Sequence, residues 1–210
     1  MPSVHFALIR EGTSDDGLVR HIRDLLVRAG FDDVIGAPLQ YKGTVAERLV
    51  TVLSEGAVPE LIFVHRDADA ADPAPRHREI HDAAASLDCT DRVVSVVPVQ
   101  ELEAWLLTDQ AAIRSVVGRP NGRTQLSVPR VARLEATSSP KEVLRSACID
   151  ASETSGARRK KEAARFSTRR ASLLEQLDID GPVSQLPSWQ RFVTDLNAAA
   201  ARLLAGAIGP

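Results

Sequence analysis

Apolar positions in the first half of the chain follow two alternating rhythms. Residues 4–9 (VHFALI), 61–65 (LIFVH) and 92–99 (RVVSVVPV) are short, nearly continuous apolar runs of strand length, and residues 33–40 form a weaker fourth. Between them the spacing widens to that of a helix. Leu18, Ile22, Leu25, Leu26 and Ala29 define one apolar face, capped by Ser14 and ended by Gly30. Val45, Leu49, Val52 and Leu53 define another, capped by Thr44 and closed by Gly56. Residues 66–77 break the pattern as an acidic, proline-interrupted loop. A helix is expected over 78–87, and another over 101–117 with Leu102, Trp105, Leu106 and Ile113 inward.

Strands alternating with helices at these lengths imply crossover connections and a mainly parallel sheet. Continuous rather than alternating hydrophobicity in the strands fits burial on both faces. The expected fold class is therefore α/β: a mainly parallel four-stranded sheet flanked by helices. After Gly118 the strand signal stops. A loop over 118–129, a helix over 141–149, a long basic helix over 153–177 and a last helix from Pro187 or Ser188 to about Leu204 predict a helical extension. The expected division is an α/β domain over 1–118 and a helical part over 119–210.

Composition narrows the class without choosing a function. With 44% hydrophobic and 26% charged residues, the 210-residue chain has ordinary globular proportions. It has no apolar run of the roughly 20 residues that span a bilayer, and residues 1–10 lack the pattern of a secretory signal. Cys89 and Cys148 lie far apart and outside any CxxC pattern, which removes cysteine-based zinc sites and points to a reducing compartment. A soluble, cytoplasmic protein is expected. The net charge of −2 conceals an asymmetry: residues 1–110 carry 10 Lys/Arg against 19 Asp/Glu, and residues 111–210 carry 16 against 9. An acidic half suits cations and a basic half suits phosphates; chance clustering, with mutual attraction of the halves, is the bland alternative.

The acids of the front half fall where a parallel sheet places its ligands, just beyond the carboxyl ends of strands. Glu11 and Gly12 follow the first run, Asp67 and Asp69 the third, Glu101 and Glu103 the fourth. Carboxylates gathered at one rim repel one another unless a cation neutralises them, and oxygen donors suit Mg²⁺ or Mn²⁺. If the chain stays extended through 67–69, both aspartates project to one side and can reach the same ion. Helix capping and loop solvation are the ordinary alternatives for each acid taken singly.

At these positions the sequence resembles the Toprim domain of topoisomerases, primases, small RNA-maturation nucleases and overcoming-lysogenization-defect nucleases. Glu11-Gly12-Thr13-Ser14-Asp15 after a first strand and Asp67-Ala68-Asp69 after a later one carry the resemblance, which spans roughly residues 4–110. Gln100-Glu101-Leu102-Glu103-Ala104-Trp105-Leu106-Leu107 with Asp109 is similar to a bacterial Toprim-like family often encoded beside AAA-type ATPases. The resemblance implies a Toprim/Rossmann-like sheet, catalytic roles for Glu11, Asp67 and Asp69, and Mg²⁺ or Mn²⁺ as cofactor. It implies metal ligation by Glu11, Asp67 and Asp69, with Asp15 as an outer ligand and Glu101 or Glu103 completing the set. The single tyrosine, Tyr41, is not placed to attack DNA, and no zinc module is present, so the topoisomerase and primase branches fit less well.

Outside the resemblance, residues 158–170 hold seven Lys/Arg and one Glu. On one continuous helix, Arg158, Lys161, Arg165 and Arg169 form a stripe with Arg159, Lys160 and Arg170 nearby, a face that can track a phosphate backbone. A solvated helix facing the acidic half, or a protein contact, is the alternative. Lys42, in Lys42-Gly43-Thr44, can hold a phosphate near the same rim, although a plain capped helix start is the simpler account of the triplet. His77 and His81 sit one helical turn apart without a third ligand in register. Trp105 and Trp189 read as packing residues. No Walker motif, GxGxxG or GxSxG is present.

The expectation is a metal-dependent nuclease acting on DNA in preference to RNA, in a bacterial anti-phage defence system. A separate AAA- or ABC-type ATPase partner and self-assembly come from the resemblance, and no membrane partner is expected. The alternative is a non-catalytic Toprim-like subunit that senses or docks. A haloacid-dehalogenase-type phosphatase ranks last, because that fold wants its DxD after the first strand.

Overall fold

The computed structural model describes residues 1–207. The chain enters as β1 (Ser3–Ile9), α1 (Leu18–Arg28), β2 (Asp33–Leu39), α2 (Val45–Ser54), β3 (Leu61–His65), α3 (Ala74–Ala85) and β4 (Val93–Val96). Among the described residues these four strands make one parallel sheet of order β2-β1-β3-β4. The α/β class expected from the alternation is thus the class observed. Every residue of β3 is buried, as a central strand of a covered sheet requires. Phe6 meets Phe63 edge-to-face at 5.4 Å, and Phe63 meets Phe192 at 6.3 Å. Phe6 is paired in register with Gly36 on β2, and its ring fills the space a Cβ would take there.

A helical series follows: α4 (Glu103–Leu106), α5 (Gln110–Val116), α6 (Pro140–Ala151), α7 (Gly156–Ala163), α8 (Phe166–Glu175) and α9 (Pro187–Ala207). Among the described residues, no helix is long and apolar enough to cross a membrane.

The chain forms two compact units that do not coincide with a division at residue 118. One comprises Met1–Arg66, Pro73–Val97 and the chain from Gln190; the other comprises Asp67–Asp72 and Pro98–Trp189. The first holds the sheet, α1–α3 and most of α9, whose Phe192, Leu196, Ala199 and Ala200 are buried. The second holds α4–α8.

Three helices differ from expectation for identifiable reasons. The helix expected over 101–117 is interrupted, because Asp109 leaves the helical region and caps α5, accepting from the amides of Ala111 and Ala112 at 2.8 and 3.0 Å. The long basic helix over 153–177 is split at Ala164–Arg165 into α7 and α8. Phe166, Arg170, Leu173 and Leu174 are buried on α8, whereas α7 buries only Glu162 among its eight residues, so one straight helix cannot satisfy both faces. The α3 helix starts at Ala74, inside the segment expected to be loop, because Pro73 and Pro75 fall where a first turn tolerates proline. Ser14 does not cap α1: residues Thr13–Asp15 form a 3-10 turn instead.

Candidate functional site

In a sheet of order β2-β1-β3-β4 the chain leaves β1 toward one side and β3 toward the other. The crevice beyond the carboxyl ends of β1 and β3 is therefore the topological switch point, where open α/β sheets bind ligands. Glu11 lies two residues past β1, and Arg66 directly follows β3. They meet in an ion pair with Arg66 Nε 2.5 Å from Glu11 Oε1. The same guanidinium donates from Nη1 to Glu79 Oε1 at 2.9 Å, and Arg76 closes the chain on Glu79 Oε2 at 2.9 Å. Glu11 keeps 32% of its side-chain surface exposed, so the carboxylate is both held and reachable by solvent.

Asp15, in the turn after β1, is buried. Its Oδ2 accepts from the Gly12 amide at 3.1 Å and its Oδ1 from Ser14 Oγ at 3.3 Å, so the carboxylate fixes the turn after β1. Buried His65, the last residue of β3, places Nδ1 3.4 Å from Asp15 Oδ2. Arg10 pairs with Asp16 at 2.5 Å and donates to Gln40 at 3.1 Å. Every carboxylate at the end of β1 thus has a cationic or amide partner within its own unit.

Lys42 is exposed on the loop after β2. The helix start beyond it is already filled. Thr44 Oγ1 accepts from the Glu47 amide at 3.3 Å, while Glu47 Oε2 accepts from the Thr44 amide at 2.7 Å. That reciprocal cap puts a carboxylate where a phosphate would sit, and it holds the Glu47 carboxyl below its usual range.

In the second unit the segment 67–72 runs beside 98–100. Ala68 donates to the Pro98 carbonyl at 3.0 Å, Asp69 to the Gln100 carbonyl at 2.8 Å, and Gln100 to the Ala70 carbonyl at 3.1 Å. Asp69 has φ of 53° and Gln100 of 62°, so the chain is not extended at Asp69. The period-two argument for Asp67 and Asp69 therefore does not apply. Asp67 Oδ1 accepts from the Leu102 amide at 2.8 Å, and Asp69 is exposed.

The two acids left undecided by sequence are engaged differently. Glu101 Oε2 accepts from the Lys141 amide at 2.9 Å, capping the first turn of α6. Glu103 is 2% exposed and takes Arg170 Nε on Oε1 at 2.7 Å; Arg170 is 7% exposed. That is a buried ion pair inside the unit. Trp105 packs edge-to-face on Trp189 at 4.9 Å and donates from Nε1 to Ser188 Oγ at 2.8 Å.

The basic stripe is likewise rearranged by the break between α7 and α8. Glu162 accepts from Arg169 at 2.7 Å and Arg165 at 3.5 Å, and Arg169 also donates to the Val116 carbonyl at 2.5 Å. Arg159 pairs with Asp150 at 2.8 Å. Arg158, Lys160 and Lys161 are exposed on α7. If these cations bind nucleic acid, Lys160→Glu with Lys161→Glu reduces affinity and lowers the slope of log K against log salt by about 2, since each phosphate neutralised contributes nearly one unit. A filter-binding series from low to high salt reads this directly, and an unchanged slope assigns α7 to a protein contact instead.

Among the described residues, no three His, Cys, Asp or Glu side chains are grouped so as to hold a metal ion. Within the first unit, Arg66 supplies the cation beside Glu11. Both thiols are shielded: burial pushes Cys148 up to about 11 and raises Cys89, so neither is poised as a thiolate. Sequence reasoning missed Arg66, His65 and Glu79. The available signal was Arg66 itself, a cation at the end of the most apolar strand and directly before an acidic pair.

The family described as Domain of unknown function (DUF4276) matches residues 23–197. The match includes Asp67, Asp69, Glu101, Glu103 and α7, and begins after Glu11 and Asp15. No curated protein and no solved structure matches the chain.

Proposed function

We propose that this chain, which belongs to the DUF4276 family, is a Toprim-like nuclease that hydrolyses phosphodiester bonds in DNA, with RNA as the lesser substrate. The observation that carries the proposal is the coincidence of the switch point with the motif. Glu11 lies two residues past β1 and Arg66 directly follows β3, the two strands between which such sheets bind ligands, and the two side chains meet there.

Glu11 is the proton-transferring group of this proposal, being a solvent-reachable carboxylate at the crevice. Arg66 is the group that meets a phosphate oxygen, since a guanidinium offers paired donors to phosphate. Asp15 and His65 hold the turn and strand end that carry them. A requirement for Mg²⁺ or Mn²⁺ comes from the Toprim resemblance. The place in anti-phage defence and the separate ATPase partner are parts of the same proposal and rest on the resemblance.

Incubation with supercoiled plasmid, single-stranded DNA and single-stranded RNA, in Mg²⁺, Mn²⁺ or EDTA, tests it. Cutting that EDTA abolishes is the expected result, with DNA cut faster than RNA. Absence of cutting under every condition favours the second proposal, a non-catalytic subunit that senses or docks. The engagement of Glu11 with Arg66 and of Glu103 with Arg170 speaks for that alternative.

A further inference from the structure

Along the outer edge of the sheet, wholly within the first unit, lies a cavity of about 230 Å³. Its walls are one face of α3 (His77, Ile80, His81, Ala84), one face of α9 (Arg191, Asp195, Ala198, Arg202), Thr90, and Val93 to Ser95 of β4. Among the described residues β4 has a strand neighbour on one side only, so its other side opens here. The α9 face is not the one that builds the core, since Phe192, Leu196, Ala199 and Ala200 do that. Ala84 and Ala198 leave volume where larger apolar side chains would close the gap, and charged groups line the opening.

The charges decide what fits. Arg191 and Arg202 outnumber Asp195, and His77 is neutral at pH 7 because burial, with Arg191 nearby, pushes it down to about 4. His77, His81 and Asp195 share the lining but are not grouped to hold a metal. Arg191 Nε sits 3.8 Å from Asp195 Oδ2, long for a hydrogen bond, and Arg202 reaches the Asp91 carbonyl at 3.5 Å, so neither guanidinium is saturated by these contacts. The volume falls below the roughly 300 Å³ at which pockets begin to take drug-sized ligands, so a small anion fits better than a whole nucleotide.

Asp195 refines the choice. A carboxylate inside an anion site repels an anion that has no proton to give, and accepts a hydrogen bond from one that has. Inorganic phosphate near neutral pH retains a proton, whereas sulfate has none, and a phosphomonoester with its second pKa near 6 has lost its own. We propose that this cavity is a binding site for inorganic hydrogen phosphate, with Arg191 and Arg202 donating to its oxygens and Asp195 accepting from its P–OH. Thr90 and Ser95 supply hydroxyls at the same wall. The site is independent of the nuclease proposal.

Calorimetric titration at pH 7.5 and constant ionic strength, with phosphate, sulfate and AMP in separate runs, tests it. Phosphate is expected to bind about tenfold or more tightly than sulfate or AMP, and Arg202→Gln to weaken it about tenfold. Asp195→Asn, whose amide can donate to sulfate, is expected to bring phosphate and sulfate within about threefold. In a proton-detected titration, bound phosphate raises His77 from its depressed value, because the anion favours the imidazolium. Thermal melting of each variant separates lost binding from lost fold. Equal binding of phosphate and sulfate to the unaltered chain overturns the proposal. So does no phosphate binding at about 10 mM, tighter binding of AMP, or a selectivity unaltered in Asp195→Asn.

Discussion

Glu103→Ala is expected to cost about 3–5 kcal/mol of stability, the largest single loss from any acid of the candidate set. The carboxylate is 2% exposed and its partner Arg170 is 7% exposed, with 2.7 Å between Oε1 and Nε. Removing the carboxylate takes from the buried Arg170 guanidinium the acid it meets at 2.7 Å, and breaking a buried pair from one side costs far more than the pair's net worth. For a chain of this size that loss lowers the melting temperature by roughly 10 °C. The double replacement Glu103→Leu with Arg170→Met removes both charges at similar volume and is expected to recover most of the loss. Circular-dichroism melts of the three variants check this. The double variant also separates two roles for Glu103: a packing pair leaves cleavage intact when both partners go, whereas a ligand does not.

The second large effect is on chemistry. Glu11→Gln is expected to lower the cleavage rate by about 10²-fold or more, the usual contribution of a positioned proton-transfer group. The substitution keeps the shape and one acceptor oxygen, and Arg66 retains Glu79 at 2.9 Å, so the fold should hold. Single-turnover rates on the preferred substrate, with the melting temperature measured alongside, separate chemistry from stability. A rate within about threefold of the unaltered chain removes Glu11 from the chemistry.

What the sequence revealed follows from how local each interaction is. The strands and the faces of α1 and α2 were legible because burial on a covered sheet leaves continuous apolar runs and a 3.6 period, both local patterns. Leu18, Ile22, Leu25 and Leu26 are all buried, and so is every residue from Leu61 to His65. The cap at Asp109 was also a local signal, passed over because Trp105, Leu106 and Ile113 keep helical spacing across the interruption.

The basic segment was less legible. Residues 158–170 contain no glycine or proline to mark a break, and the split between α7 and α8 follows from which residues each helix buries. Arg170 reads as exposed charge until Glu103, 67 residues away, supplies its partner. Asp67 and Asp69 illustrate the same limit. Their spacing suits a shared ion only on an extended chain, and the turn at Asp69 is set by pairing with Gln100 across a long sequence gap. Arg66 is not legible as a site residue in the sequence, because its meaning comes from Glu11 and Glu79, 55 and 13 residues away.

The Toprim resemblance gives Asp67 a catalytic part in the proposed cleavage beside Glu11. Asp67→Asn separates that part from a purely structural one, because asparagine keeps an oxygen to accept from the Leu102 amide at 2.8 Å while removing the charge. Plasmid cleavage by the unaltered chain and by Asp67→Asn, purified alike and assayed side by side in Mg²⁺ and Mn²⁺, is the measurement. Cutting by the first and none by the second, at closely similar melting temperatures, is the expected result. Cutting at equal rates by both would contradict it.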